Sequence, residues 1–179
     1  MWNSLILAGI WIGIIFKWLI PVCRKHIVYE IYEACGLGLY FTSFLLPWSW
    51  GEISFLPLRI LGFILFLPAA LFVGSSFINL KAKGKPPTGW EQTTVMIESG
   101  AYQLVRHPLY LGTALWAAGV ILVSQSVSTT IFGLLAGCCF WMASKREDEY
   151  DLAKFGDDYQ EYMKRVPRWN FLRGLRELW

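Results

Sequence analysis

Charge is scarce in this chain. Asp, Glu, Lys and Arg make up 16% of its 179 residues, where soluble domains carry about 25%. The shortage is concentrated in long apolar runs, which excludes an ordinary soluble domain and indicates an integral membrane protein. The four cysteines, Cys23, Cys35, Cys138 and Cys139, have neither metal-ligand spacing nor the pattern of a disulfide framework, and read as small apolar packing residues. No metal is expected. No basic stripe with interleaved aromatics lies outside the segments flanking the apolar runs, so no nucleic-acid partner is expected either. Internal repeats, low-complexity tracts and linkers are also missing. We read residues 1–179 as a single domain, with the region of chemical interest at about 81–168. The start, MWNSLILAGIWIGIIF, has no basic leader and no small-residue cleavage site, and is expected to be a membrane helix.

What is present is apolar: 55% hydrophobic and 17% aromatic residues. A membrane helix needs about 20 mostly apolar residues, and five stretches are candidates: Trp2–Ile20, Ile31–Trp50, Leu56–Leu80, Pro108–Val123 and Val127–Ser144. The last two are joined by SQSVS and read as a tight helical hairpin. Gly112 and Gly119 lie on one face of the first, and Gly133 and Gly137 give the second a small-xxx-small face for close packing. Lys and Arg cluster after the first, third and fifth runs, so all three segments fall on one side. The positive-inside rule makes that side cytoplasmic. The expected fold is all-α, with about five transmembrane helices, a cytosolic cap loop over Lys81–His107 and interfacial helices at the C-terminal end.

The inner edge carries the unusual residues. Pro108 suits the first position of a helix, with His107 as its cap and the backbone N–H groups of Leu109, Tyr110 and Leu111 expected to be without helical partners. Such an end favours anions, and Arg106 adds a fork for a carboxylate. After the fifth run, KREDEYDLAKFGDDYQEYMKRVPRW places Glu147, Tyr150, Asp151 and Lys154 on one helical face. Gly156 suits a helix C-cap. A further helix, Asp157–Val166, places Tyr159, Tyr162, Met163 and Val166 together. Because the last two apolar runs form a hairpin, Arg106 and His107 are expected to meet Lys145–Glu149. Acceptors for an ammonium and donors for a carboxylate then lie side by side, as a zwitterionic amino acid requires. The same residues could instead form an interfacial salt-bridge cluster that ties the tail to the loop.

RHPLYLG, followed by a hairpin, an acidic cluster and FGDDYQEYMKRVP, resembles the isoprenylcysteine carboxyl methyltransferases and, more distantly, the phospholipid methyltransferases. The loop GKPPTGWEQTT…ESGAYQLVRHP resembles the prokaryotic members. The resemblance covers roughly Lys83 to Arg168. It implies S-adenosyl-L-methionine as methyl donor, bound at the cytosolic face, and a lipophilic small-molecule or lipid acceptor entering from the bilayer. By position it implies cofactor contacts from Tyr102, Arg106, His107, Tyr110, Leu111, Gly112, Glu147 and Asp148, with Leu111 and Gly112 at the adenosine end and Glu147 on the amino group. Arg106, Arg146 and Glu147 are the implied catalytic positions. Glu147-Asp148-Glu149 departs from the family's paired glutamates, which leaves open the acid that binds.

Two other readings share these features. A membrane reductase of the sterol-reductase type has a similar arginine-rich, acidic and tyrosine-containing end and would use NADPH, yet few basic residues are available for a second phosphate. The other is non-enzymatic, a small membrane scaffold or a transporter. Transport would place ionisable residues deep in the spans, whereas here the charges cluster at one edge. Only Lys17, Glu30, Glu33 and Arg59 approach the spans, where they read as terminal anchors.

Overall fold

The computed structural model describes residues 2–25, 27–45, 54–84 and 93–177, and all of its regular elements among these are helical. Helices α1 (Trp2–Gly13) and α2 (Ile20–Lys25) are joined by a π-helical segment, Ile14–Leu19, into one continuous helix. Pro21 follows that segment and has no N–H to offer the carbonyl four residues back, a recognised cause of local helix irregularity. Then come α3 (Val28–Leu45), α4 (Leu56–Lys83), a short 3-10 turn (Gly100–Gln103), α5 (Pro108–Ser124), α6 (Val127–Phe155), α7 (Asp157–Arg165) and α8 (Phe171–Glu177).

The helices pack in the order α1, α3, α6, α5, α4. Glycine allows the closest approaches. A Cβ on Gly62 of α4 would stand 2.8 Å from the carbonyl oxygen of Gly119, and one on Gly119 of α5 would stand 3.0 Å from that of Gly62. Gly112 faces Val73 and the Ala69 carbonyl of α4. Of the small-xxx-small pair in α6, Gly133 packs on Ile121, whereas nothing lies within 4 Å of a Cβ at Gly137. Gly36 of α3 makes room for Phe140, which is buried with Tyr110, Ala136 and Ala143.

The hairpin expected from SQSVS is present. Gln125 adopts a left-handed conformation (φ 50°), and the Ser126 hydroxyl caps α6 by accepting from the Thr129 N–H. The Gln125 side chain also clasps the start of α4, its amide oxygen accepting from the Phe55 N–H at 2.8 Å and its NH2 donating to the Phe55 carbonyl at 2.9 Å.

This is an all-α membrane protein. Three helices, Trp2–Lys25, Leu56–Lys83 and Val127–Phe155, are long and apolar enough to span a bilayer, while α5 is apolar but shorter. The expected span Ile31–Trp50 corresponds to α3, which begins earlier, at Val28, and buries Glu30 and Glu33 among its neighbours; the later part of that expected span lies outside the described residues. Outward faces are apolar: Leu67 of α4 is 68% exposed and Ile78 69%, a surface suited to acyl chains rather than water. The apolar part of α6 ends near Ser144, and Lys145–Phe155 continues the same helix with charged and polar residues.

The cap is tied to the inner end of α4. The Ser75 hydroxyl accepts from the Ala101 N–H at 3.2 Å, and the Ser99 hydroxyl donates to Asn79 Oδ1 at 3.1 Å. These polar residues of α4 thus anchor the loop. Trp90 of the cap lies outside the described residues, as do Leu178 and Trp179 of the tail.

Candidate active site

Arg106 and His107 immediately precede α5, with His107 as N-cap and Pro108 as the first helical residue. The charged end of α6 returns past them. Arg106 forms a two-pronged pair with Asp148, Nε donating to Oδ1 at 3.1 Å and Nη2 to Oδ2 at 2.9 Å. Its Nη1 donates to the carbonyls of Met163 (3.2 Å) and Val166 (2.6 Å). Those carbonyls belong to the end of α7, where helical acceptors lack backbone donors and a cation is favoured. Asp148 also accepts from the Tyr159 hydroxyl at 2.7 Å and from Arg168 Nε at 2.8 Å. Burial by itself would raise the Asp148 pKa; hydrogen bonds and positive charge from His107 and Arg106 outweigh it and hold the carboxyl well below the usual range.

His107 joins the two acids. Nδ1 lies 2.9 Å from Glu147 Oε2 and Nε2 lies 2.7 Å from Asp148 Oδ1. Burial disfavours its charge, but the bonds to Asp148 and Glu147 prevail and raise its pKa to about 9. At neutral pH it is an imidazolium donating from both nitrogens, the only form able to do so.

Above this junction lies a cavity. The face formed by Glu147, Tyr150, Asp151 and Lys154 makes one wall, Tyr102 and Tyr159 stand on the cap and tail side, and Tyr29 and Glu33 contribute from α3. Tyr110 stacks between His107 and Phe140, with ring centroids at 5.9 and 6.5 Å, and its hydroxyl donates to Glu33 Oε2 at 3.3 Å. Lys154 donates to the Thr93 carbonyl and lies over the Phe155 ring at 4.9 Å, which closes the wall against the cap. Burial, then the neighbouring Glu147 charge, raises the Asp151 pKa to about 7 against the opposing pull of His107 and Lys154.

Of the residues singled out in the sequence, Tyr102, Arg106, His107, Tyr110 and Glu147 come together around this cavity. Asp148 lies beneath it, fully engaged by cations. Leu111 and Gly112 are buried along α5, Gly112 against α4, and neither lines the cavity. Arg146 turns away and donates to Glu149 Oε2 at 2.8 Å. One expectation needs correction: the Leu111 N–H is satisfied by the His107 carbonyl at 3.0 Å, because a capping residue's carbonyl already accepts the first helical bond. The first-turn N–H groups of Leu109 and Tyr110 have no capping side chain from His107. Glu33 and Asp151 also line the cavity although neither was a sequence candidate. Periodicity places Asp151 on the Glu147 face; Glu33 has no local signal, because only tertiary packing brings α3 to Tyr110.

Residues 58–158, more than half of the chain, match the family model described as phospholipid methyltransferase. The chain is 33% identical over 132 residues to the protein-S-isoprenylcysteine O-methyltransferase of Schizosaccharomyces pombe, covering 72% of this chain and 54% of that protein. It is 31% identical over 113 residues to protein-S-isoprenylcysteine O-methyltransferase B of Arabidopsis thaliana, covering 63% and 55% respectively. Against the Homo sapiens protein-S-isoprenylcysteine O-methyltransferase it is 26% identical over 130 residues, covering 72% and 44%. The chain therefore spans about half the length of the curated relatives it matches. No solved structure matches. The matched segment contains the α5–α6 hairpin, the RHP segment and the acids that meet it: the chain belongs to the phospholipid methyltransferase family.

Proposed function

We propose that this chain is an S-adenosyl-L-methionine-dependent methyltransferase acting on a lipophilic acceptor at the cytosolic face of a membrane. The acceptor classes that fit are an isoprenylcysteine-like carboxylate, a thiol and a lipid amine. The observation that carries the reading is the division of labour between neighbouring acids: Asp148 is saturated by cations, while Glu147 is held by His107 at the cavity wall with its side chain 28% exposed.

The donor set fits the methyl donor. Glu147 supplies an acceptor for its ammonium group, and the first-turn N–H groups of Leu109 and Tyr110 supply donors for its carboxylate. Tyr102 and Tyr110 offer ring faces to a purine or a cation. When bound, the donor supplies an electrophilic methyl group on a positively charged sulfur. The chain's own residues hold and orient: His107 fixes Glu147, Arg106 fixes the end of α7, and the cap bonded to α4 covers the cavity and excludes water. Orientation of two reactants can contribute about 7–11 kcal/mol of a barrier, and exclusion of water strengthens the polar contacts inside. The apolar outer faces of α4 and α6 favour an acceptor arriving from the bilayer.

Calorimetry in detergent tests the reading. S-adenosylhomocysteine should bind with micromolar or tighter affinity, and NADPH should not; the reverse would favour a reductase. Methyl transfer should rise with acceptor chain length by about 0.8 kcal/mol for each buried methylene, and a flat response would oppose entry from the bilayer. A cysteine placed at Lys83 should be labelled from the cytoplasmic side only; labelling from outside would reverse the orientation.

A further inference from the structure

Asp151 stands one helical turn beyond Glu147, so both project from the same face of α6, and both line the cavity. Their surroundings differ. Glu147 is held by His107, whereas none of the described residues hydrogen-bonds or ion-pairs with Asp151. The cations whose charge reaches Asp151 are committed elsewhere: Lys154 to the Thr93 carbonyl, and His107 to Glu147 and Asp148. A half-buried carboxylate without a partner, in an aromatic-walled cavity, is unfavourable unless a cation arrives with the ligand.

We infer that Asp151 is a second ligand-binding carboxylate, which together with Glu147 holds an ammonium group of a bound molecule. The inference rests on the methyltransferase reading above. That ammonium has two sources: the aminoacyl end of the methyl donor, or an amine acceptor. The charge balance favours either. Among the described residues, His107 pairs with Glu147 and is shared with Asp148, while Arg106 and Arg168 both pair with Asp148 beneath the cavity. At the cavity wall the Glu147–Asp151 pair therefore has one negative charge with no cation in contact when both are ionised.

Protonation of Asp151 should then couple to binding. The groups facing it are Glu147, Asp148 and Lys154 on its own helix, His107 before α5, and the phenols of Tyr29, Tyr102 and Tyr159; burial keeps those of Tyr102 and Tyr159 neutral. His107, with its pKa raised to about 9, stays charged near neutrality. Asp151, raised to about 7, is the group that changes state there. Its ionised form binds an ammonium, so affinity should rise from pH 6 to 7.5 and binding should release a proton.

The test compares two nucleosides by calorimetry: S-adenosylhomocysteine, and 5′-methylthioadenosine, which lacks the aminoacyl end. Asp151→Asn should weaken the first about tenfold or more, leave the second within about twofold, and abolish the rise in affinity between pH 6 and 7.5. If S-adenosylhomocysteine binding is instead unchanged, a raised KM for phosphatidylethanolamine in mixed vesicles would assign the ammonium to the acceptor. The inference is overturned if neither quantity changes, or if both nucleosides weaken equally, since Asp151 would then be supporting the fold. Absence of nucleoside binding by the unaltered protein would instead remove the methyltransferase reading, and this inference with it.

Discussion

Two adjacent pairs, Arg106-His107 and Glu147-Asp148, meet at one junction yet divide into a dry half and an open half. In the dry half, the Arg106–Asp148 pair has side chains only 8% and 4% exposed, and every strong donor and acceptor is engaged. In the open half, His107 reaches out to Glu147, and beyond it Asp151 faces the cavity without a partner among the described residues. Consecutive helical residues point about 100° apart, so neighbouring acids can serve different ends. The saturated half holds α5, α6, α7 and the tail together; the unsaturated half has capacity left for a ligand.

The largest expected effect breaks the dry half. Asp148→Ala would leave Arg106 and His107 as buried cations without their shared partner, and removing one member of a buried pair costs about 3–5 kcal/mol. Thermal unfolding in detergent should show a large loss of stability; a midpoint near that of the unaltered protein would mean the junction tolerates an unmatched Arg106.

Next comes pH. The folded-state pKa of His107 is raised to about 9, so its contribution is complete below the unfolded value of about 6.5 and is lost as pH rises through 9, up to about 3 kcal/mol. Asp148 has a lowered pKa; its contribution is present above about pH 4 and is lost only in acid. Denaturant midpoints should therefore fall between pH 6.5 and 9.5, and His107→Gln should flatten that decline.

In the open half, Glu147→Gln should weaken S-adenosylhomocysteine by about 1.5–3 kcal/mol, the range for a hydrogen bond to a charged group, while altering thermal stability less than Asp148→Ala. A loss of stability as large as that of Asp148→Ala would erase the distinction between the halves. The smallest effect belongs to Arg146, whose partner Glu149 is solvent-facing. Arg146→Ala should change neither the unfolding midpoint nor nucleoside affinity, and a clear loss of affinity would bring Arg146 back into the site.

Much of this is legible in the amino-acid sequence. The hairpin follows from two apolar runs separated by SQSVS, and it brings Arg106 and His107 to the acids. Gly156, with φ of 61°, ends α6 where the glycine stands, and Tyr159, Tyr162 and Val166 form the buried face of α7 and its end. The choice among Glu147, Asp148 and Glu149 was not legible. It depends on the rotation of α6, set by the burial of Ala136, Phe140 and Ala143 against α3 and α5. The carbonyls of Met163 and Val166 that receive Arg106 were hidden for another reason: backbone acceptors have no residue signature. The number of spans was also less legible than their apolarity, because α3 carries buried acids and α5 is short for a bilayer.

The distance along the chain between the two halves of the junction has a consequence for biosynthesis. His107 is 40 residues ahead of Glu147, and Arg106 is 42 ahead of Asp148 and 60 ahead of the Val166 carbonyl. At about 5–20 residues per second, the ribosome makes the two cations several seconds before the acids that neutralise them. During that interval lipid phosphates and water are the available company for Arg106 and His107, which favours keeping them at the membrane surface. The final turns of α6 supply the acids and the end of α7 the carbonyls, so the junction can close only after Val166 has been added.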